Sequence, residues 1–305
     1  MSARSPGQRR PISAEASAAG ARSARDRLRV AVVGHIEWLD FAIVDHLPLA
    51  GEIVTARDHF EAAAGGGAVA AVQLARLAGG ADFFTAVGDD RLGERAVAEL
   101  SGPLGLDVHA VARPGRAQRR AFTHVDAAAE RTITVLGERL VPRGDEPLAW
   151  ARLDGADGVY WTGGDAGAAA AARGARALVA TGRAPDGLLA AGVMPDVVVA
   201  SGNDPKELEG AARFPQRPRW LVLTDGARGG RWEGADGSSG SWEPVAPPGP
   251  LADAYGCGDS FAGGLTYGLA AGLPLPAALH LAARCGAWCA TGRGPYGRQL
   301  TGAEL

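Results

Sequence analysis

Short apolar segments alternate with segments of helical periodicity from Leu28 onward. Strands are predicted over residues 28–34, 82–88, 158–161, 177–180, 197–200 and 220–223. Between them lie amphipathic stretches such as 91–100, in which Leu92, Ala96 and Leu100 share one helical face. Strands that are apolar throughout and separated by helices are typical of a mainly parallel sheet covered on both faces. The pattern therefore predicts an α/β fold.

One segment interrupts this rhythm. Residues 120–136 alternate apolar and polar side chains on both sides of 126–130, which predicts a β-hairpin. We expect the hairpin to join strands at 41–44 and 53–55 in a small sheet that projects from the main domain. The segment 234–241 is rich in glycine and serine and is predicted to be a loop.

Composition favours an enzyme that acts on small molecules. A chain of 305 residues, 47% of them hydrophobic, can bury a large core. Its net charge of −3 gives no reason to expect nucleic acid or an anionic membrane as a partner. No apolar run approaches the length of a transmembrane helix. The three cysteines form no CxxC pair, which argues against a zinc site, and reduced thiols fit a cytoplasmic protein.

The first 27 residues differ from the rest of the chain. They combine six arginines with many alanine, serine and glycine residues and few acids, and they have no apolar core of a secretory signal. This composition predicts a disordered tail over residues 1–27. One folded domain is then expected over residues 28–305.

The segment Asp253-Ala-Tyr-Gly256-Cys257-Gly258-Asp259 carries the clearest chemistry in the chain. Its small residues come directly before an apolar run that is predicted to be a helix. Backbone N–H groups at a helix start are unpaired and attract negative charge, so the turn is a candidate phosphate cradle. Asp259 is either a helix cap or a general base beside a developing anion. Cys257 is a small filler of the turn or, since a helix N-terminus lowers a thiol pKa, a reactive thiol.

This segment resembles the C-terminal signature of the ribokinase-like (PfkB) carbohydrate kinase family, in which Asp, two residues, Gly, a small residue, Gly and Asp follow in order. The alternative is a glycine-rich loop that only caps a helix. The resemblance implies a three-layer α/β fold with a small β-lid, and ATP as the phosphoryl donor. It also implies that Asp259 is the catalytic base and that the N–H groups of Gly256, Cys257 and Gly258 form the anion hole.

Further segments resemble the family in the same order along the chain. They are Gly65-Gly66-Gly67 followed by Ala75-Arg76-Leu77, Val87–Gly93, Glu130–Ile133 and Leu223–Gly229. The resemblance implies a lid formed by parts of 36–57 and 119–136, with the acceptor between the lid and Asp259. It also implies a nucleotide site that includes Thr224, Gly226, Gly229, Asn203 and Asp253. Lids of this family often pair, so a homodimer through the lid is a further expectation.

Two positions depart from the family at the acceptor site. Ungapped counting places the family's acceptor-binding Asp on Leu39 and its Asn on Val69. Either Glu37 and Asp40 replace them, together with Gly65, Gly66 and Gly67, or the acceptor is more apolar than a pentose. The alternative is that Glu37 and Asp40 are two solvated charges. Trp38 is predicted to stack on a sugar or a base, or to belong to the core.

The family's Asn-x-x-Glu motif, which helps to organise Mg²⁺, is also altered. Asn203 matches, whereas the glutamate position falls on Lys206 and Glu207 follows it. Glu207 is therefore the candidate metal-site residue if Pro205 shifts the helix start. Alternatively Lys206 binds a phosphate directly. Mg²⁺ carried by ATP is expected in either case.

Taken with the resemblance, the sequence predicts an ATP-dependent kinase that phosphorylates a hydroxyl of a sugar or sugar-like small molecule. A nucleoside kinase shares the implied fold and base, and an aromatic lid pocket that includes Trp38 would favour it. A binding or regulatory protein that kept the fold and lost the acceptor site is the third hypothesis. Leu39 and Val69 favour that third hypothesis, while the intact turn at 256–259 opposes it.

Overall fold

A nine-stranded sheet forms the centre of the computed structural model, which describes residues 27–305. All of the predicted tail except Arg27 lies outside the described residues. The strands are β1 (Val30–Val33), β2 (Glu37–Ile43), β3 (Asp58–Ala64), β4 (Asp82–Gly88), β5 (Asp107–Arg113), β6 (Arg120–Val125), β7 (Arg131–Leu136), β8 (Gly158–Trp161), β9 (Leu178–Thr181), β10 (Val197–Ser201), β11 (Trp220–Thr224), β12 (Gly230–Gly234) and β13 (Ser239–Trp242). The helices are α1 (Gly66–Ala78), α2 (Arg91–Ser101), α3 (Ala166–Ala172), α4 (Asp186–Ala190), α5 (Pro205–Ala212), α6 (Cys257–Ala270) and α7 (Leu275–Cys289).

The strand order of the large sheet is β13-β12-β11-β10-β9-β8-β1-β4-β5. All its neighbours pair in parallel except β11–β12 and β12–β13. In β1, Val30 and Val32 join the core under α1, α6 and α7, whereas Ala31 and Val33 join the core under α3 and α4. Successive side chains of a strand point to opposite faces of the sheet, so a strand that is apolar throughout requires helices on both faces. The α/β prediction is confirmed.

A second sheet of four strands has the order β3-β2-β6-β7. The hairpin predicted over 120–136 is confirmed as β6 and β7. The third strand was predicted at 53–55 but lies at Asp58–Ala64, because Ala62 and Ala64 can be buried against Leu39 and Phe41. Ile53, by contrast, is 96% exposed.

The prediction of a loop at 234–241 is also wrong in part. Gly234 ends β12 and Ser239 begins β13, so this segment is the turn of a hairpin at the sheet edge. Small polar residues are tolerated there because an edge strand has little core to fill. Over residues 27–305, none of the helices combines the length and the apolar character needed to span a membrane.

Candidate active site

The turn at Gly256 opens helix α6 toward a cleft. Gly256 has φ of +78°, and a Cβ atom there would lie 2.9 Å from Cγ1 of Val69, so glycine is required for both conformation and space. The next two residues are accessible: Cys257 is half-buried and Gly258 is exposed. Within residues 27–305, no protein acceptor binds their N–H groups. An anion can therefore reach unpaired donors at a helix N-terminus.

The carboxylate of Asp259 lies between the first turns of α6 and α1. Its Oδ1 atom is 2.6 Å from the position of a Cβ atom on Gly66. Burial raises the pKa of Asp259 to about 6, and the negative charge of Glu207 adds to this rise, while Arg131 and Arg183 oppose it. A carboxyl group with this pKa is ionised at neutral pH and is a stronger base than an ordinary aspartate.

The three glycines before α1 shape this part of the cleft. Gly65 has φ of +90° and donates its N–H to the hydroxyl of Tyr255 at 3.1 Å. A Cβ atom on Gly67 would lie 2.6 Å from the carbonyl oxygen of His35. Because they have no side chains, these glycines let the start of α1 contact Asp259 and also the backbone of His35, just after β1.

The structure separates the two carboxylates that the sequence placed together at the acceptor site. Glu37 is buried, and its Oε1 accepts from Nε of Arg119 at 2.6 Å. Asp40 lies on the opposite face of β2, where it accepts from Nη2 of Arg120 at 2.8 Å. Residues three apart on a strand point to opposite faces, so only Glu37 can share the cleft with Asp259.

Two further predictions are settled by burial. Trp38 is 2% exposed and lies under the guanidinium of Arg95, 4.2 Å from the ring centroid, so it belongs to the core and presents no stacking face. Leu39 and Val69, which occupy the family's polar positions, are both fully buried in an apolar cluster with Tyr255. The floor beneath the small sheet is therefore apolar.

Sequence reasoning missed three arginines that converge on this cleft. Arg119 pairs with Glu37, and Arg183 pairs with Glu207. Arg139 is half-buried, and the charges of both other arginines, Glu37 and Asp259 act on its pKa. One signal was available: Arg183 lies three residues after the end of the predicted strand 177–180, and carboxyl ends of parallel strands are common ligand sites. Arg119 and Arg139 flank the hairpin and carried no motif.

The residues predicted to bind the nucleotide lie near the carboxyl ends of β10 and β11. Thr224 ends β11, and its carbonyl oxygen accepts from the N–H of Gly202 at 2.8 Å. Gly226 and Gly229 bound the short turn that follows, both with positive φ. Asn203 is exposed and donates its Nδ2 to Asp225 at 2.9 Å. The four predicted residues thus share one rim of the large sheet.

Glu207, and not Lys206, faces the cleft. Lys206 is exposed, whereas both oxygens of Glu207 point back to the strand ends. Oε1 accepts from Nη2 of Arg183 at 2.7 Å, and Oε2 accepts from the N–H of Ser201 at 2.7 Å. Arg183 also pairs with Asp204. Each oxygen of Glu207 thus already accepts one hydrogen bond, and its ion pair with Arg183 competes with direct binding of Mg²⁺.

Asp253 is tied into the backbone of the loop before α6. It is buried, and its two oxygens accept from the N–H groups of Tyr255 at 2.8 Å and Gly294 at 3.1 Å. Burial raises the pKa of Asp253, which these two hydrogen bonds partly offset. This arrangement favours a positioning role for Asp253 over direct contact with a nucleotide.

The tip of the β6–β7 hairpin touches the same loop. The carbonyl oxygen of Ala129 accepts from the N–H of Ala254 at 3.1 Å. Ala129 has φ of +62°, the only positive value for a non-glycine residue in 27–305. Such a conformation costs about 1–2 kcal/mol, and here it coincides with a backbone hydrogen bond from the hairpin tip to the loop before α6.

The family model described as pfkB family carbohydrate kinase matches residues 27–181 and 196–300. A curated relative, acarbose 7(IV)-phosphotransferase from an Actinoplanes species, is 38% identical over 76 residues. That alignment spans 25% of this chain and only 25% of the relative's length.

Two solved structures are similar in fold. One, a candidate ribokinase from Agrobacterium tumefaciens, is 23% identical with a TM-score of 0.75, over 91% of this chain and 96% of that one. The other, Arabidopsis thaliana ribokinase in complex with ribose and ATP, is 16% identical with a TM-score of 0.67, over 91% and 97%. At these identities the likeness establishes the fold.

Proposed function

This chain belongs to the pfkB family of carbohydrate kinases, and on that basis we propose that it transfers the terminal phosphoryl group of ATP to a hydroxyl of a sugar or sugar-like small molecule. One observation carries the proposal. Asp259, with a pKa raised to about 6, lies beside the accessible and unpaired N–H groups of Cys257 and Gly258. The base and the anion site that phosphoryl transfer to an alcohol requires are thus adjacent.

The mechanism follows from this geometry. Asp259 accepts the proton of the acceptor hydroxyl as the hydroxyl oxygen attacks the terminal phosphorus of ATP, and the bond from that phosphorus to the bridging oxygen breaks to release ADP. A positioned base of this kind contributes roughly 10²–10⁴-fold. The N–H groups of Gly256, Cys257 and Gly258 stabilise the charge on the phosphoryl oxygens, and loss of one such donor typically costs about 10²–10³-fold. The helix dipole of α6 acts in the same direction.

ATP is proposed to lie along the rim formed by Thr224, Gly226, Gly229 and Asn203. The position at the carboxyl ends of parallel strands supports this, as does the likeness in fold to a ribokinase solved with ATP. Asp253 is assigned an indirect role, because its oxygens are held by Tyr255 and Gly294.

Mg²⁺ is proposed to arrive with ATP and to be bound by its phosphates. Mg²⁺ would neutralise the charge of the β- and γ-oxygens there. Glu207 was the candidate metal-site residue, but its oxygens are occupied by Arg183 and Ser201. In this proposal Glu207 holds Arg183 at the edge of the phosphate site and is no direct ligand of the metal.

The acceptor is proposed to bind between Asp259 and the small sheet. Glu37 and the backbone of Gly65, Gly66 and Gly67 offer the polar contacts on this side, and Leu39 and Val69 form an apolar floor. Asp40 is withdrawn from the candidate set because it lies on the other face of β2. An acceptor with fewer polar groups than a pentose matches this floor.

The two alternative functions receive different support. An aromatic lid pocket that includes Trp38 would have favoured a nucleoside acceptor, but Trp38 is buried under Arg95. A binding protein without catalysis draws support from the apolar floor at Leu39 and Val69, yet Cys257 and Gly258 of the turn remain accessible. A sugar-like acceptor is therefore the function that the geometry supports best.

A homodimer through the small sheet is also proposed, with a second copy as the occupant. Strand β7 is an edge strand, exposed along its whole length, and Ile133 and Val135 on it are 40% and 44% exposed. An uncovered edge with apolar side chains can be paired by the same edge of another copy. Gel filtration of the protein and of a Val135→Lys variant tests this pairing.

The working location is proposed to be the cytoplasm. All three cysteines are free thiols, and Cys285 and Cys289 are buried as small core residues. Free thiols persist in a reducing compartment.

The decisive test replaces Asp259 by asparagine and measures ATP turnover on a panel of sugars, sugar derivatives and nucleosides. We expect Asp259→Asn to fold and to lose at least ~10²-fold in kcat, since the amide cannot take a proton. Asp40→Asn is the matched control and should retain most of the activity. Wild-type turnover in Asp259→Asn would remove Asp259 from the mechanism. Tight ligand binding without turnover by the wild type on the entire panel would favour the binding-protein alternative.

A further inference from the structure

Of the arginines Arg119, Arg139 and Arg183 at the cleft, Arg139 is the one that forms no hydrogen bond or ion pair within residues 27–305. Arg119 donates to Glu37, and Arg183 donates to Glu207. For the half-buried guanidinium of Arg139, residues 27–305 supply neither a hydrogen-bond acceptor nor a carboxylate within ion-pair distance. A guanidinium carries five N–H donors, and partial burial without acceptors is unfavourable. The arrangement calls for an acceptor from outside the chain.

Arg139 lies on the segment that follows β7, and Cγ1 of Val141 on that segment is 3.0 Å from the Cβ position of Gly163, just beyond the carboxyl end of β8. The pKa of Arg139 is lowered, mainly by burial and then by Arg119, while Glu37 and Asp259 raise it. Arg139 is also the charge that acts most strongly on His35, whose pKa is held well below its usual range by burial first. Thr162, which precedes Gly163, has its Oγ1 3.0 Å from the Cβ position of Gly67, next to the contact of Gly66 with Asp259, so the Arg139 segment borders the same cleft.

The nearby carboxylates do not form an ion pair with Arg139. Glu37 is engaged by Arg119, and Glu207 is engaged by Arg183 and the N–H of Ser201. Asp259 must remain free to accept a proton in the proposed reaction. A positive charge that no carboxylate of residues 27–305 pairs with therefore lies beside the place where phosphoryl transfer is proposed.

We infer that Arg139 binds an oxyanion that a substrate brings into this cleft, and this inference rests on the proposed function. The fork of a guanidinium matches the two oxygens of a phosphate or a carboxylate. Two substrates can supply this group: ATP, through the phosphoryl group in transfer, or an acceptor that carries an acidic substituent, as sugar acids and sugar phosphates do. Arg139 is in either case a binding residue of the site.

The experiment measures binding, so that it does not depend on turnover. Wild type, Arg139→Gln and Arg139→Lys are titrated calorimetrically in two arms. The first arm uses D-gluconate and D-glucose 6-phosphate, with neutral D-glucose as reference. The second uses ADP with aluminium fluoride, a planar anionic mimic of the phosphoryl group, with ADP as reference. Arg143→Gln is the matched control, because Arg143 is exposed on the same segment.

We expect Arg139→Gln to weaken binding of the anionic probe at least tenfold in one arm, with the neutral sugar or ADP alone unaffected. The affinity of Arg139→Lys for the anionic probe should lie between those of the wild type and Arg139→Gln, and the affinity of Arg143→Gln should match that of the wild type. Loss in the first arm assigns the oxyanion to the acceptor, and loss in the second assigns it to the phosphoryl group. The inference is overturned if Arg139→Gln binds every probe within twofold of the wild type, or if the wild type binds no anionic probe. Anion binding through Arg139 without any turnover would instead count against the proposed kinase activity alone.

Discussion

Oδ1 of Asp259 lies 2.6 Å from the point where a Cβ atom on Gly66 would stand. A carboxylate at the start of α6 is thus held against the backbone at the start of α1, and no side chain separates the two helices there. This contact excludes solvent from one side of Asp259 and contributes to the burial that raises its pKa to about 6. The glycine is therefore part of what makes the proposed base effective.

Gly66→Ala should impair catalysis more than it impairs folding. The added methyl group needs the space of the carboxylate, and a displacement near 1 Å can cost about 10²-fold in rate. The free energy of unfolding should fall by no more than about 1–3 kcal/mol, the usual effect of overpacking. The measurement is kcat together with urea unfolding. Gly249→Ala is the control, since no atom lies within 4 Å of its Cβ position. Unchanged kcat in Gly66→Ala would show that this contact does not position the base.

The pH dependence of kcat/KM should report the raised pKa of Asp259. The base acts as a carboxylate, so activity is lost as pH falls through about 6 and is constant above it. An ordinary aspartate, with a pKa near 3.8, would keep its activity down to a much lower pH. The profile is measured from pH 4.5 to 8.5, with a return to pH 7.5 to verify reversibility. A profile that stays flat down to pH 5 would contradict the assignment.

Asp259→Asn should stabilise the fold at neutral pH. The folded pKa of about 6 exceeds the value of 3.8 expected for an unfolded chain, so the folded state binds this proton more tightly. The resulting stability is present below pH 4 and is lost as pH rises through 6, at a cost of about 2–3 kcal/mol. The variant should therefore gain up to this amount at pH 7.5 and almost nothing at pH 4. Urea unfolding at both values tests it, with the exposed Asp145→Asn as control.

Cys257 should be slow to alkylate in spite of its place at a helix N-terminus. A hydrogen bond with Cys289 and burial both raise the pKa of the Cys257 thiol well above its ordinary value, so little thiolate is present at pH 7.5. Iodoacetamide labelling followed by mass spectrometry measures this, with the urea-unfolded chain as the reactive reference. Cys257→Ser should keep near-normal kcat, because the proposed donor is the backbone N–H. Fast labelling of the folded protein would restore the reactive-thiol hypothesis.

Most of the fold prediction rested on the spacing of apolar residues along the chain. The apolar run of β1 requires helices on both sides of the sheet, and the alternation over 120–136 requires a hairpin. The strand at Asp58–Ala64 was missed because its three consecutive alanines show no alternation of apolar and polar residues. The segment forms a strand because Ala62 and Ala64 pack against Leu39 and Phe41 of the neighbouring strand, a contact that local sequence does not show. The hairpin of β12 and β13 was missed because glycine and serine at an edge resemble a loop.

By itself the sequence determined the α/β architecture and the turn from Gly256 to Asp259, because both depend on local spacing and on the backbone freedom of glycine. Only the tertiary structure decided which charges meet at that turn. Glu37 lies in the cleft and Asp40 does not, and Glu207 pairs with Arg183. In the part of the chain that the structure describes, Arg139 has no partner. These pairings join residues far apart in the chain, so they are set by the packing of the two sheets and have no local signal.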